Sequence, residues 1–325
     1  MTSTIAGGDP RVVVAGRRRQ ARTGGPTRPG RNYSFRRWFD RRGTYWLFVL
    51  PVVGLIAVFK LYPTIMAVRY SFTDWNGFGR AVPVGLANYR QLFSSPSFRT
   101  ILENNAKVLV GVPVFAFVPL VVAVVLFGRP LGYRFLKASY FFPAVLSPVV
   151  IGALFGLLLT VSGPLDSFVR VFIPSFEVDW LASPRLAMWT VLLVVLWANF
   201  GIGVLVYLSA LAGIPLDLFD AARVDGASWW STLRRVIVPS LRGVISFWSV
   251  ILTISLFTSM FGFIYSLTSG GPGLGSTVLE YDVYVQAFTN GEYGSASAVS
   301  VTLLVIIGCL TVLQLRLISG RRAQA

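Results

Sequence analysis

The chain contains no histidine and a single cysteine, Cys309. Without histidine there is no imidazole general base, no Ser/His/Asp triad and none of the usual histidine metal sites. One cysteine excludes an intramolecular disulfide. Acidic side chains are scarce as well, with 13 Asp and Glu against 29 Lys and Arg, a net charge of +16. No constellation of nucleophile, base and metal ligands can be found, so the expectation is a protein with no catalytic residues, no cofactor and no metal.

What the chain has in abundance is apolar surface. It is 54% hydrophobic with a mean hydropathy of +0.68, and several apolar runs reach the ~20 residues needed to cross a bilayer. The composition predicts an all-α integral membrane protein with six transmembrane helices, at about 45–68, 103–127, 138–160, 186–211, 244–266 and 297–315. In a soluble protein a charge of +16 would suggest nucleic acid, but its distribution argues against that partner. Of the 29 basic residues, 21 fall on the side shared by residues 1–42, 128–137, 212–243 and the C-terminus, against 8 elsewhere, while acidic residues divide 5 and 8. The positive-inside rule then places both termini and the 212–243 loop in the cytoplasm of a multi-pass cell-membrane protein.

Residues 1–42 are rich in Arg, Gly and Pro, including Arg17-Arg18-Arg19, with little to form a core. They read as a disordered basic tail ahead of a transmembrane domain over 43–325. RNA or anionic lipid is the functional alternative for this tail; an orientation signal beside the first span is the favoured one.

The loop between the fourth and fifth spans has the composition of a compact folded surface. Pro215 suits the start of a helix, Asp217 and Asp220 fall near its first turn, and Gly226 stops it. Ser228 can cap a second helix along which Trp229, Leu233 and Ile237 recur every four residues, with Arg234 and Arg235 before Pro239. The loop predicts helix, glycine turn, helix. So short a pair cannot bury its own apolar faces, and it must pack on the spans, on another protein, or on both. A structured connector and a docking element are both consistent with its shape.

Asp220-Ala221-Ala222, Asp225-Gly226-Ala227 and Ile237-Val238-Pro239 resemble the cytoplasmic loop of binding-protein-dependent ABC importer permeases. In that family the loop begins Glu-Ala-Ala and inserts into a groove on the separate ATPase subunit; here Asp220 keeps the charge on a side chain one methylene shorter. Phe141 to Pro148, Thr268 to Pro272 and Tyr293 to Ala298 are similar to the sugar-type permeases of the same family. The likeness covers nearly all of 45–318 and implies a type I ABC importer permease architecture. By that likeness Asp220, Ala221, Ala222, Asp225, Gly226, Ala227 and Pro239 are docking residues. It also implies a second permease subunit, two cytoplasmic ABC ATPase subunits, an external solute-binding protein and a sugar substrate.

Polar groups inside the spans are candidates for the path. Asn199, Gly203 and Tyr207 recur every four residues in the fourth span, and Ser255 and Ser259 do so in the fifth, with Thr258 adjacent. Interhelical hydrogen bonding and a polar substrate path account for them equally well. Gly270 and Gly275 have the spacing of a phosphate-binding loop, but Ser276 stands where lysine is required, and the topology puts the stretch outside the cell. Past Lys107 the predicted membrane cores contain no Asp, Glu, Lys or Arg, which disfavours an ion-coupled secondary transporter. A permease for glycerol phosphate or a peptide remains the alternative within the importer class.

Overall fold

A computed structural model describes residues 44–322; the basic segment 1–42 lies outside the described residues. The chain divides into two units, 1–57 and 58–325. In the first, helix α1 (Thr44–Ile56) contains Pro51 and exposes Leu50, Val52 and Leu55, as a lipid-facing helix does.

The second unit is mainly helical, and among its described residues one short antiparallel ribbon pairs Thr73–Asp74 with Val82–Pro83. Its principal helices are α2 (Tyr62–Tyr70), α3 (Pro96–Phe127), α4 (Tyr133–Phe141), α5 (Pro148–Leu158) and α6 (Ala187–Leu211). They continue with α7 (Leu216–Val224), α8 (Trp229–Thr232), α9 (Arg242–Thr258), α10 (Phe261–Leu267), α11 (Leu279–Tyr284) and α12 (Tyr293–Arg322). Among the described residues, four stretches are long and apolar enough to cross a membrane unbroken: Val49–Tyr70, Pro96–Phe127, Ala187–Leu211 and Tyr293–Leu317. Two bent pairs bring the number to as many as six.

The expected third span, 138–160, is not one helix. α4 passes through a tight turn at Phe142–Val145, and α5 then leaves at 103° to it. Prolines are the cause: Pro143 and Pro148 supply no amide hydrogen, and Leu146 and Ser147 ahead of Pro148 are extended, at ψ 146° and 139°. The expected fifth span, 244–266, is also interrupted, because α9 ends at Thr258 and α10 begins at Phe261. A further bend of 75° separates Trp229–Ser240 from α9.

α3 packs along α6, and α5 packs across α10. The second contact is so close that a Cβ on Gly152 would collide with the Ser266 side chain. Two apolar clusters result. One joins Val108, Val112, Met188, Val195, Leu256 and Phe263; the other joins Leu120, Leu126 and Leu211 to Leu233 and Ile237 from the 212–243 loop.

Candidate docking loop and cavity

The loop begins where Pro215, with its fixed φ of −55°, leads into α7. Asp217 lies in the first turn, where a carboxylate favours the helix dipole. The helix ends as a backbone-closed cap: the Gly226 amide donates to the Arg223 carbonyl at 3.0 Å, and the Ala227 amide donates to the Ala222 carbonyl at 2.9 Å. That closure requires the left-handed backbone found at Gly226, φ +68°, and nothing lies within 4 Å of where its Cβ would be. Ser228 then caps α8, its hydroxyl accepting from the Ser231 amide at 3.3 Å.

Leu233 and Ile237 are buried, at 1% and 3% exposure, and anchor the loop with ~1.5–3 kcal/mol of apolar burial each. Trp229, expected on the same face, is exposed at the start of α8, while the helix widens to a π turn over Leu233–Ile237. The outward surface is therefore mixed. Trp229 and Trp230 stand edge to face at 4.6 Å, Val224 is 88% exposed, and Asp220 pairs with Arg223 at 3.1 Å. Ala221 and Asp225 are exposed beside them, as is Pro239 in the last helical turn of the loop, while Ala222 turns inward. An exposed ion pair of this kind contributes ~0–1 kcal/mol, so Asp220 is dispensable for folding and free to engage a partner.

The other candidate feature is a cavity of about 250 Å³ at the two helix breaks. Leu146 and Pro148 from one break and Ser259 and Met260 from the other share its wall with Asn199 and Ser255. Trp248, Phe115 and Phe263 add aromatic surface, and no charged side chain lines it. The Asn199 amide donates to the Val195 carbonyl at 3.0 Å, leaving its oxygen for other donors.

Gly203 and Tyr207 do not line this cavity. Gly203 lets α6 approach Pro119, and Tyr207 is fully buried in the cluster beneath the loop, its hydroxyl without a hydrogen-bond partner among the described residues. Thr258 is exposed, and its hydroxyl donates back to the Ile254 carbonyl at 2.8 Å. An unsatisfied buried hydroxyl is a cost that its removal relieves, so Tyr207→Phe should raise thermal stability slightly. A clear loss of thermal stability in the Phe variant would show instead that the hydroxyl is paired.

Outside the spans, the Gly270–Thr277 stretch is folded on itself. The buried Ser276 hydroxyl donates to the Gly271 carbonyl at 2.7 Å, and the Thr277 hydroxyl donates to the Gly270 carbonyl at 2.9 Å. Asn104 of α3 ties the stretch down, its amide donating to the carbonyls of Leu274 and Thr277 at 2.8 and 2.9 Å. Next to it, Glu280 accepts from the Met260 and Phe261 amides at 2.8 and 3.1 Å. Burial pushes the Glu280 carboxyl up in pKa, and these two amides pull it back. Burial raises Asp282 in the same way, offset by the Gln286 side chain. Nothing in the local sequence marks Glu280 as special, since its partners lie about twenty residues earlier.

Residues 81–324 match the family described as binding-protein-dependent transport system inner membrane component. The xylose/arabinose import permease protein XacH of Haloferax volcanii is 32% identical over 82% of this chain and 84% of its own length. The multiple sugar-binding transport system permease protein MsmF of Streptococcus mutans is 30% identical over 84% of this chain and 94% of its own. In fold, the chain is similar to a chain of a bacterial ABC transporter involved in the import of the acidic polysaccharide alginate. That likeness has a TM-score of 0.75 at 20% identity and covers 88% of this chain and 99% of the other.

Proposed function

The chain belongs to the family of binding-protein-dependent transport system inner membrane components, and from that premise we propose that it is the permease subunit of a sugar-importing ABC transporter. It forms a translocation path with a second permease and receives its solute from an external binding protein. ATP hydrolysis is left to separate ATPase subunits, which seat on the loop around Asp220 and Gly226.

The observation that carries the sugar reading is the cavity at the two breaks. It offers Asn199, Ser255 and Ser259 beside aromatic and aliphatic walls. Amide and hydroxyl groups that both donate and accept, set beside apolar faces, suit a neutral polyhydroxyl solute. A phosphate-bearing solute such as glycerol phosphate calls for Arg or Lys in the path, and the cavity lining has neither.

In this reading the 212–243 loop faces the cytoplasm and the Gly270–Thr277 stretch faces outward. With Cys309 replaced by serine, cysteines at positions 80 and 273 should react with an impermeant thiol reagent in intact cells, and a cysteine at 228 only after permeabilisation. The opposite pattern would contradict the orientation and the docking loop together.

The function itself is tested by purifying the chain from its native membrane in mild detergent and identifying what accompanies it. A second permease and an ATPase should copurify, and a solute-binding protein of the same system should bind a sugar. A binding protein that takes only peptides or phosphate esters would overturn the sugar assignment.

A further inference from the structure

The break in the fifth span, Thr258 to Phe261, contains no proline or glycine, and Gly262 just beyond it is taken up in α10, where it lies against Pro148. In an unbroken helix the Met260 and Phe261 amides would donate to the carbonyls of Leu256 and Phe257. Instead both donate to one oxygen, Oε2 of Glu280, at 2.8 and 3.1 Å. A carboxylate is the strongest side-chain acceptor available for the first amides of a helix, and here it starts α10. Glu280 is the second residue of α11, whose leading loop Asn104 fastens to α3. Leu256, Ser259 and Met260 all line the cavity, so the interruption occurs on its wall.

We propose that Glu280 is a positioning residue of the transport path. By holding the Met260 and Phe261 amides it keeps the fifth span open beside the cavity. The Leu256 carbonyl is then left to accept from a hydroxyl of the passing sugar, and the break is fastened through α11 to the outer loop. The inference rests on the sugar-permease reading for the identity of the donor, though not for the latch itself. A carbonyl adds what Asn199, Ser255 and Ser259 do not supply, an acceptor fixed in direction by the main chain. Unwound backbone at membrane depth is tolerated where it lines a cavity, which is where this break lies.

The test uses the complete complex in lipid nanodiscs and vesicles, comparing the wild type with Glu280→Gln, Glu280→Asp and Glu280→Ala. Glutamine keeps an acceptor at the right reach, aspartate is too short for both amides, and alanine offers none. Hydrogen exchange in peptides covering 256–264 should stay slow in the Gln variant and quicken by about tenfold or more in Ala, with Asp between. Sugar uptake should follow the same order, falling roughly tenfold in Ala while the ATPase subunit remains bound and Gln stays within about threefold of the wild type. If Glu280→Ala does not assemble, the Asp and Gln variants decide by the same two readouts. Unchanged exchange in both Ala and Asp would overturn the latch. Faster exchange with undiminished uptake would overturn its role in the path. Should the wild-type complex carry no sugar while exchange still follows Gln, Asp, Ala, the sugar reading fails and the latch stands.

Discussion

Gly226→Arg should give a chain that folds and inserts but no longer holds its ATPase subunit. Gly226 sits at φ +68°, and the Arg223 and Ala222 carbonyls depend on that turn for their donors. A non-glycine residue in this region costs about 1–2 kcal/mol, and Arg must bear it. Nothing lies within 4 Å of the position, so the new side chain meets no atom of the chain itself, which is why folding survives. It projects from the surface that carries Asp220, Trp229 and Val224, and a bulky cation in the centre of an interface costs ~2–4 kcal/mol. Association should weaken at least thirtyfold, since every ~1.4 kcal/mol is a factor of ten. Asp220→Ala should act in the same direction and less, because it removes one charge-assisted contact and an exposed pair with Arg223. Copurification of the ATPase at wild-type yield with Gly226→Arg would make the loop a structured connector.

Filling the cavity should abolish transport without touching assembly. Ser259→Trp places an indole into a space of about 250 Å³, already near the lower end of small-molecule pockets, and uptake should fall by at least ~20-fold. Asn199→Leu keeps the volume and removes the amide, so its loss should be smaller, ~3–10-fold, and should appear mainly in uptake rather than in ATPase binding. The comparison separates shape from hydrogen bonding. Uptake by Ser259→Trp at half the wild-type rate or better would place the path elsewhere.

The helix, glycine turn and second helix of the 212–243 loop were legible because their signals are local: Pro215, Gly226 and Ser228 each act within a turn of where they stand. The exposure of Trp229 was not, since a four-residue period cannot show that the cluster around Leu120 and Leu211 takes in Leu233 and Ile237 and leaves Trp229 out. Pro143 and Pro148 are plain in the sequence as residues that remove helix hydrogen bonds, but the 103° change of direction they accompany is not. In the fifth span the cause lies about twenty residues away, in the Glu280 carboxylate, and no periodicity within 244–266 encodes it.

The stripe of Asn199, Gly203 and Tyr207 shows the limit of a four-residue period. At 3.6 residues per turn, eight residues rotate about 80° past two full turns and climb ~12 Å. Tyr207 thus turns from the cavity wall toward Leu120 and the loop-anchoring cluster. Ser255 and Ser259, one step apart, stay together on the cavity.

In the proposed function this chain carries sugar only as part of an ATP-driven complex, through its loop at Gly226 and its cavity at Asn199. The direct measurement is uptake of labelled sugar by sealed vesicles that contain the chain with its copurified permease and ATPase, with the solute-binding protein added outside and ATP enclosed. Uptake should need ATP and the binding protein together, persist when proton and sodium gradients are collapsed, and disappear with Gly226→Arg. Uptake that survives without ATP but stops when the ion gradients are collapsed would contradict the proposed function.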